Sequence, residues 1–352
     1  MLDTDQAAPP DWRARSLATV TPERISWLWP GYLAAGKLHV IDGDPGLGKS
    51  TMTLDVAARV STGGRWPDDQ PGCEPAGVLL LSAEDGLADT IRPRLDAAGA
   101  DVEKVFAFTC WDIGRDGERT ERPATLPGDT ARLAKAIASN RVGLVVIDPL
   151  MAFLGGGLDA HRDQDVRRAL SLLARVAEAT NAAVVLVRHL NKASGSSALY
   201  RGGGSIGIIG AARLAFAVGR DPDDEEHRVM AATKANITRP APSLRWRIAD
   251  TDTGHGRVVW EGESRYGADE LLRAPADTEE REERDEASSF IHSYLADHGG
   301  EATASDVLKA GRAAGIPERT LRRARDRAGV VTRKAGMRGG WLWQLDLERD
   351  PA

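Results

Sequence analysis

Eight consecutive residues carry the clearest chemistry in this sequence. Gly43-Asp44-Pro45-Gly46-Leu47-Gly48-Lys49-Ser50 fits G-x-x-x-x-G-K-[ST], and Thr51 follows. Glycines in such a loop let backbone N–H groups turn inward around phosphate oxygens. A helix opening at the end of the loop adds the positive pole of its dipole. Lys49 is placed to neutralise the β- and γ-phosphates, and the Ser50 hydroxyl to ligate Mg²⁺. The chemistry implied is capture of ATP with Mg²⁺.

Three further residues are candidates to act on that triphosphate. Asp148 ends the apolar run LVVID, where a carboxylate can hold a water of the Mg²⁺ shell. Glu84, in LLLSAED, also follows an apolar run, and a carboxylate there can orient and deprotonate the attacking water. Asp85 is its rival. Side chains alternate at a strand end, so one of the two faces the phosphate, and Glu84 is the expected one. His189 closes VVLVRHLNK, before a polar glycine-rich loop. Its imidazole is placed to hydrogen-bond the γ-phosphate and report hydrolysis to that loop.

These groups need strands that deliver them to one sheet edge. Compact apolar runs at residues 38–42, 77–82, 105–110, 143–147 and 183–188 supply them. The runs show little polar alternation, as expected when helices cover both faces of a parallel sheet. The spacing predicts a helix over 163–180, with Asp163 as N-cap and Val166, Leu170, Leu173 and Val176 or Ala177 as its apolar stripe. After Leu214 the pattern changes, and residues 227–233 and 244–248 read as late antiparallel strands at the edge. The alternation of strand and helix predicts an α/β fold with a mainly parallel sheet.

The chain has 352 residues, 42% hydrophobic and 28% charged, which suits a soluble globular protein of about two domains. The N-terminal residues lack the apolar core of a signal peptide, and no run of about 18 apolar residues occurs, so no membrane partner is expected. Cys73 and Cys110 have no metal-ligand spacing, which points away from zinc or a disulfide framework and towards a reducing cytoplasm. The expected divisions are a polar lead-in (1–24), an ATPase domain (25–265), a charged linker (266–286) that includes TEEREERDE, and a small domain (287–350). A net charge of −6 argues against nucleic acid, yet residues 311–340 hold nine Lys or Arg against two Asp or Glu. Such local asymmetry makes DNA the expected partner.

GDPGLGKST, SAED, VVIDPL and RHLNK, in that order, resemble the RecA-like P-loop ATPases over roughly residues 25–250. Within them the set is most similar to the RepA-type hexameric helicases of plasmids and mobile elements, relatives of DnaB-type replicative helicases. Glu84 stands one strand after the glycine loop. In AAA+ proteins the glutamate adjoins the strand-end aspartate instead. The resemblance implies a homo-hexameric ring with ATP sites between neighbours, each completed by a cation from the adjacent subunit. It assigns that trans role to Arg213, in GAARLAF, and a second one to Lys234, in TKANI; an arginine finger contributes about 10³–10⁵ in rate. It also implies DNA-contacting loops inside the ring, at 155–165 and 192–205. In the second, Lys192 and Arg201 suit phosphates and Tyr200 suits base stacking on single-stranded DNA.

The last segment reads as three helices and a hairpin. Ala287, Phe290, Ile291, Tyr294 and Leu295 form one stripe. Thr303-Ala-Ser-Asp306 resembles a capping box for a second helix that stops at Gly315. Pro317 opens a third, with Leu321, Ala324 and Ala328 inward and Arg319, Arg322 and Arg323 outward, ending at Gly329. VVTRK and WLWQL follow as strands. The set resembles a winged helix-turn-helix module, which implies duplex DNA at the third helix and Arg338 on the wing. The expected function is therefore an ATP-driven ring motor on DNA, a helicase or translocase serving replication of a plasmid, phage or mobile element. An ATP-switched, site-specific initiator or loader without unwinding is the alternative. A ring ATPase indifferent to DNA is disfavoured by the basic segment, and a small-molecule kinase by the water-activating Glu84.

Overall fold

The computed structural model describes residues 15–345 apart from 115, 117, 156–162, 190–205, 252–253, 272–277, 326–327, 329 and 335–340, with backbone alone at 163, 206, 278–286 and 323. Lys192, Tyr200, Arg201 and Arg338, most of both expected DNA loops, and the side chains of Asp163 and Arg323 lie outside the described residues. The chain divides into two compact units, Met1–Leu272 and Arg273–Ala352.

The first unit opens on a small antiparallel pair, β1 (Trp27–Trp29) and β2 (Leu33–Ala34). Strand β3 (Leu38–Gly43) leads through the glycine loop into α1 (Lys49–Thr62). Then come β4 (Gly77–Ser82), the short α2 (Arg92–Ala97), β5 (Val105–Ala107) and a hairpin of β6 (Cys110–Ile113) and β7 (Arg119–Arg122). Helix α3 (Thr130–Ser139), β8 (Val142–Asp148), α4 (Asp163–Thr180), β9 (Ala183–His189), α5 (Ile206–Ala211) and β10 (Leu214–Arg220) complete the α/β part. Strands β11 (His227–Ala235), β12 (Ser243–Ala249) and β13 (Arg257–Ser264), then the one-turn α6 (Ala268–Leu271), close the unit.

One nine-stranded sheet runs in the order β13-β12-β11-β10-β3-β9-β8-β4-β5. From β10 to β5 the pairs are parallel, and β11 to β13 extend it antiparallel. β4 lies on one side of β3 and β10 on the other, so the crevice of an open α/β sheet falls at the carboxyl end of β3. Two sequence expectations change here. The apolar run 105–110 is not one strand: β5 ends at Ala107, and Cys110 pairs instead with Arg122 in the separate hairpin. Residues 214–220, given no strand from the sequence, form a buried parallel strand beside β3.

The alternation of β3 feeds two cores. Leu38 and Val40 face α3, α4 and α5, where Leu133, Ile137, Val166, Leu170 and Leu173 are buried. Ile41 faces α1 and an aromatic group in which Trp29 stacks on Tyr32 at 4.2 Å and on Trp66 at 4.9 Å. Full burial of each such side chain contributes about 1.5–3 kcal/mol. His39 is wholly buried: its Nε2 accepts the Ala34 N–H at 2.9 Å, and Nδ1 lies 3.2 Å from the Val184 carbonyl. Burial pushes its pKa down to about 4, so the ring is neutral. Both cysteines are free, Cys110 buried and Cys73 half-buried. Among the described residues no helix is long and apolar enough to cross a membrane.

The second unit holds α7 (Thr278–Asp297), β14 (Glu301–Thr303), α8 (Ala304–Ala313), α9 (Glu318–Ala324), β15 (Val330–Lys334) and β16 (Trp341–Leu345). Helix α7 therefore runs through the acidic stretch TEEREERDE. Ala287, Ile291 and Leu295 meet Val307, Leu321, Ala324, Ala328 and Trp343 in one core. Thr303 caps α8 by accepting the Asp306 N–H at 3.1 Å. Gly311 lets α9 approach closely: a Cβ there would stand 2.3 Å from Leu321 Cδ1. The strands pair in the order β14-β16-β15, all antiparallel.

Candidate active site

The loop after β3 turns on Gly46 (φ +78°) and Gly48 (φ +79°), the left-handed region that glycine enters freely. Gly48 has a second constraint, since a Cβ there would lie 2.7 Å from Ile248 Cδ1 and 3.2 Å from Trp246 Cη2. The antiparallel extension thus backs the loop directly. Lys49 opens α1 and is buried, with Nζ donating to the Gly43 and Asp44 carbonyls at 2.8 Å each. Burial lowers its pKa, opposed by Asp148, Asp44, Asp42 and Glu84.

The strand ends bring the other candidates to this place. Asp148 and Ser50 line one small cavity beside the loop. Burial raises the Asp148 pKa, while the Ser50 hydroxyl and Lys49 hold it down. His189 ends β9, which pairs with β3 so that Gly43 stands opposite His189. Its Nδ1 lies 3.4 Å from Lys49 Nζ, and its Nε2 lies 3.9 Å from Glu84 Oε2. Glu84 is exposed over the edge. Its rival Asp85 is drawn off into an ion pair with Arg94 at 2.9 Å. Lys49, Ser50, Glu84, Asp148 and His189 therefore gather at one end of the sheet.

The donor set suits Mg²⁺. Ser50 and Asp148 bring a hydroxyl and a carboxylate oxygen together, as this ion requires when phosphates and water fill the rest of its shell. Among the described residues no group of three or more His, Cys, Asp or Glu stands ready to hold a metal alone. An ion here would come with the triphosphate.

The sequence reading missed a buried pair directly beneath these residues. Arg188 donates to Asp42 through Nε at 2.8 Å and Nη2 at 2.7 Å, and both side chains are almost wholly excluded from solvent. Asp42 and Arg188 face each other across β3 and β9, one residue before Gly43 and His189. The pair fixes the spacing of the loop and the histidine. No local motif reveals it, because the partners stand 146 residues apart.

Arg213 and Lys234 lie elsewhere. The Arg213 N–H bonds to the Leu38 carbonyl, at the amino end of β3. At about 3.3 Å per residue, that is roughly 16 Å from Gly43. Arg213 is exposed and, among the described residues, makes no ion pair. Lys234 Nζ donates to the carbonyls of Ile209 (2.6 Å), Gly210 (3.2 Å) and Ala212 (2.8 Å), closing the end of α5. In their own chain neither cation reaches the glycine loop. Arg319 is exposed on α9, and Arg322 is paired with Glu318 at 2.8 Å.

A mainly parallel sheet with this loop and these strand-end acids defines a RecA-like P-loop ATPase core. The chain belongs to the AAA domain family, which matches residues 3–195. Within that family its candidate water-activating carboxylate stands on the β4 side, and Asp148 is followed by Pro149 rather than by an acid. Over 164 residues the chain is 28% identical to the DNA repair protein RadA of Brucella abortus (strain 2308), a match covering 46% of this chain and 30% of that protein. It is also 28% identical over 164 residues to the DNA repair protein RadA of two Mycobacterium tuberculosis strains, CDC 1551 / Oshkosh and H37Rv, covering 46% of this chain and 28% of each. The chain thus spans under a third of the length of these curated relatives.

Proposed function

We propose that this protein is an ATP-hydrolysing ring motor on DNA, a helicase or translocase of the RepA type. The observation that carries the reading is the convergence of Glu84, Asp148 and His189 on Lys49 and Ser50. Lys49 neutralises the terminal phosphates, and Ser50 and Asp148 hold Mg²⁺. That ion, when bound, offsets the charge on the β- and γ-phosphate oxygens. Glu84 accepts a proton from water as it attacks phosphorus, and ADP leaves in line. His189 follows the departing phosphate and moves the segment after β9. Arg213 serves the site of the next subunit, which its distance from its own loop favours. Lys234, bound to three carbonyls, supports Arg213 from within its own chain better than it acts across an interface.

DNA as partner is supported by the RadA likeness and by the basic stretch 311–340, with nine Lys or Arg against two Asp or Glu. Three helices with a three-stranded sheet suit a winged helix-turn-helix, with Arg319 on α9 towards duplex phosphates. Replication of a plasmid, phage or mobile element is the expected setting, in a cytoplasm, with hexamers as the working form. Negative-stain imaging with an ATP analogue and single-stranded DNA, together with phosphate release, tests this. Rings threaded by DNA and hydrolysis stimulated by single strands are expected. Activity indifferent to any DNA would overturn the motor. Footprints on duplex without unwinding would replace it with an ATP-switched initiator.

A further inference from the structure

The second unit contains an open groove of about 610 Å³ between α8, α9 and the β15–β16 hairpin. That is within the roughly 300–1,000 Å³ of sites that enclose small ligands. Arg312, Glu318, Arg322, Arg325, Trp341 and Trp343 line it. The register of β16 puts Trp341 and Trp343 on the same, inward face of the sheet. Trp343 is 3% exposed in the core, whereas Trp341, two residues earlier, is 59% exposed. An indole on the core side of a sheet with most of its surface uncovered is, among the described residues, an open platform.

The charges around that platform converge. Glu318 accepts from Arg322 Nε at 3.0 Å and Nη2 at 2.8 Å, and Arg312 Nη1 lies 3.8 Å from its other oxygen. One carboxylate so holds two guanidiniums at one wall. Two guanidiniums against one carboxylate leave that wall net positive. Planar guanidiniums match phosphate oxygens in paired hydrogen bonds, and an exposed indole stacks on any base.

We propose that this groove binds one nucleotide unit of nucleic acid, an unpaired base stacked on Trp341 with its phosphate on Arg312 and Arg322. The proposal deepens the reading of the second unit as a DNA module: beside the duplex it would hold a base freed from pairing. An acidic peptide could satisfy the guanidiniums but offers no ring for Trp341.

The test is photocross-linking of the full chain to an iodouracil-substituted single strand, with adducts mapped by mass spectrometry. An adduct at Trp341 is expected. Trp341→Ala should abolish it, Trp341→Phe should retain the affinity, and Arg312→Ala should lower its yield roughly tenfold. Adducts confined to the first unit would overturn the groove, even if duplex binding by the second unit persists. Loss of duplex binding with the Trp341 adduct intact would sink the duplex reading and leave the groove standing. Competition arms identify the source. Displacement by free nucleotide as readily as by an oligonucleotide would make the ligand a mononucleotide. Displacement by a Glu-rich peptide alone would overturn the nucleotide assignment.

Discussion

The two edges of the main sheet treat charge in opposite ways. At the carboxyl edge, Lys49, Asp148 and the Asp42–Arg188 pair are packed together, with Glu84 and His189 leaning over them. Their charges offset one another within one chain. At the amino edge the buried group is the neutral His39, Lys234 is tied to carbonyls, and Arg213 stands exposed. The first edge is the one proposed to seat the triphosphate. The second presents a cation outward, roughly 16 Å from its own loop. A site divided between chains would need both.

The largest test of this contrast is Lys49→Ala, which should abolish phosphate release; measurable turnover would remove the carboxyl edge from the chemistry. Glu84→Gln should keep nucleotide binding and lower kcat by roughly 10²–10⁴, and single-turnover kinetics separates the two effects. Mixing Arg213→Ala with Lys49→Ala chains should restore part of the activity that each lacks alone, because some interfaces then join an intact loop to an intact arginine. No rescue at any ratio would make Arg213 a surface charge. Asp42→Asn removes the carboxylate that accepts from Arg188 Nε and Nη2 and should cost about 3–5 kcal/mol in chemical denaturation.

The smallest effect belongs to the amino edge. The folded His39 resists protonation down to pH of about 4, whereas an unfolded histidine takes a proton near its ordinary 6.5. Stability should fall with acidification across that window, by about 3 kcal/mol in all, and show no further loss from this group below it. His39→Gln should flatten the upper part of that slope in pH-dependent melting.

The sequence made the parallel strands legible wherever an apolar run was uniform, as in VVLVRH or LVVID, because burial on both faces removes polar alternation. The glycine loop's shape was legible for a similar reason: the residue types are demanded by one local turn. Strand β10 escaped because Arg213 precedes LAFAVGR and Arg220 ends it, and only its pairing with β3 and β11 gives it a place. The run at 105–110 misled because apolar content does not report which partner a strand chooses. Arg188 read as one more basic residue before His189. Its bond to Asp42 depends on the register of two strands, which no window of residues contains.

Gly48 touches Ile248 and Trp246, some two hundred residues later in the chain and beyond the segment matched by the AAA domain family. A nascent polypeptide that has emerged only as far as β10 carries the whole glycine loop but lacks the wall behind it. The glycine loop therefore takes its final packing only once β12 is in place.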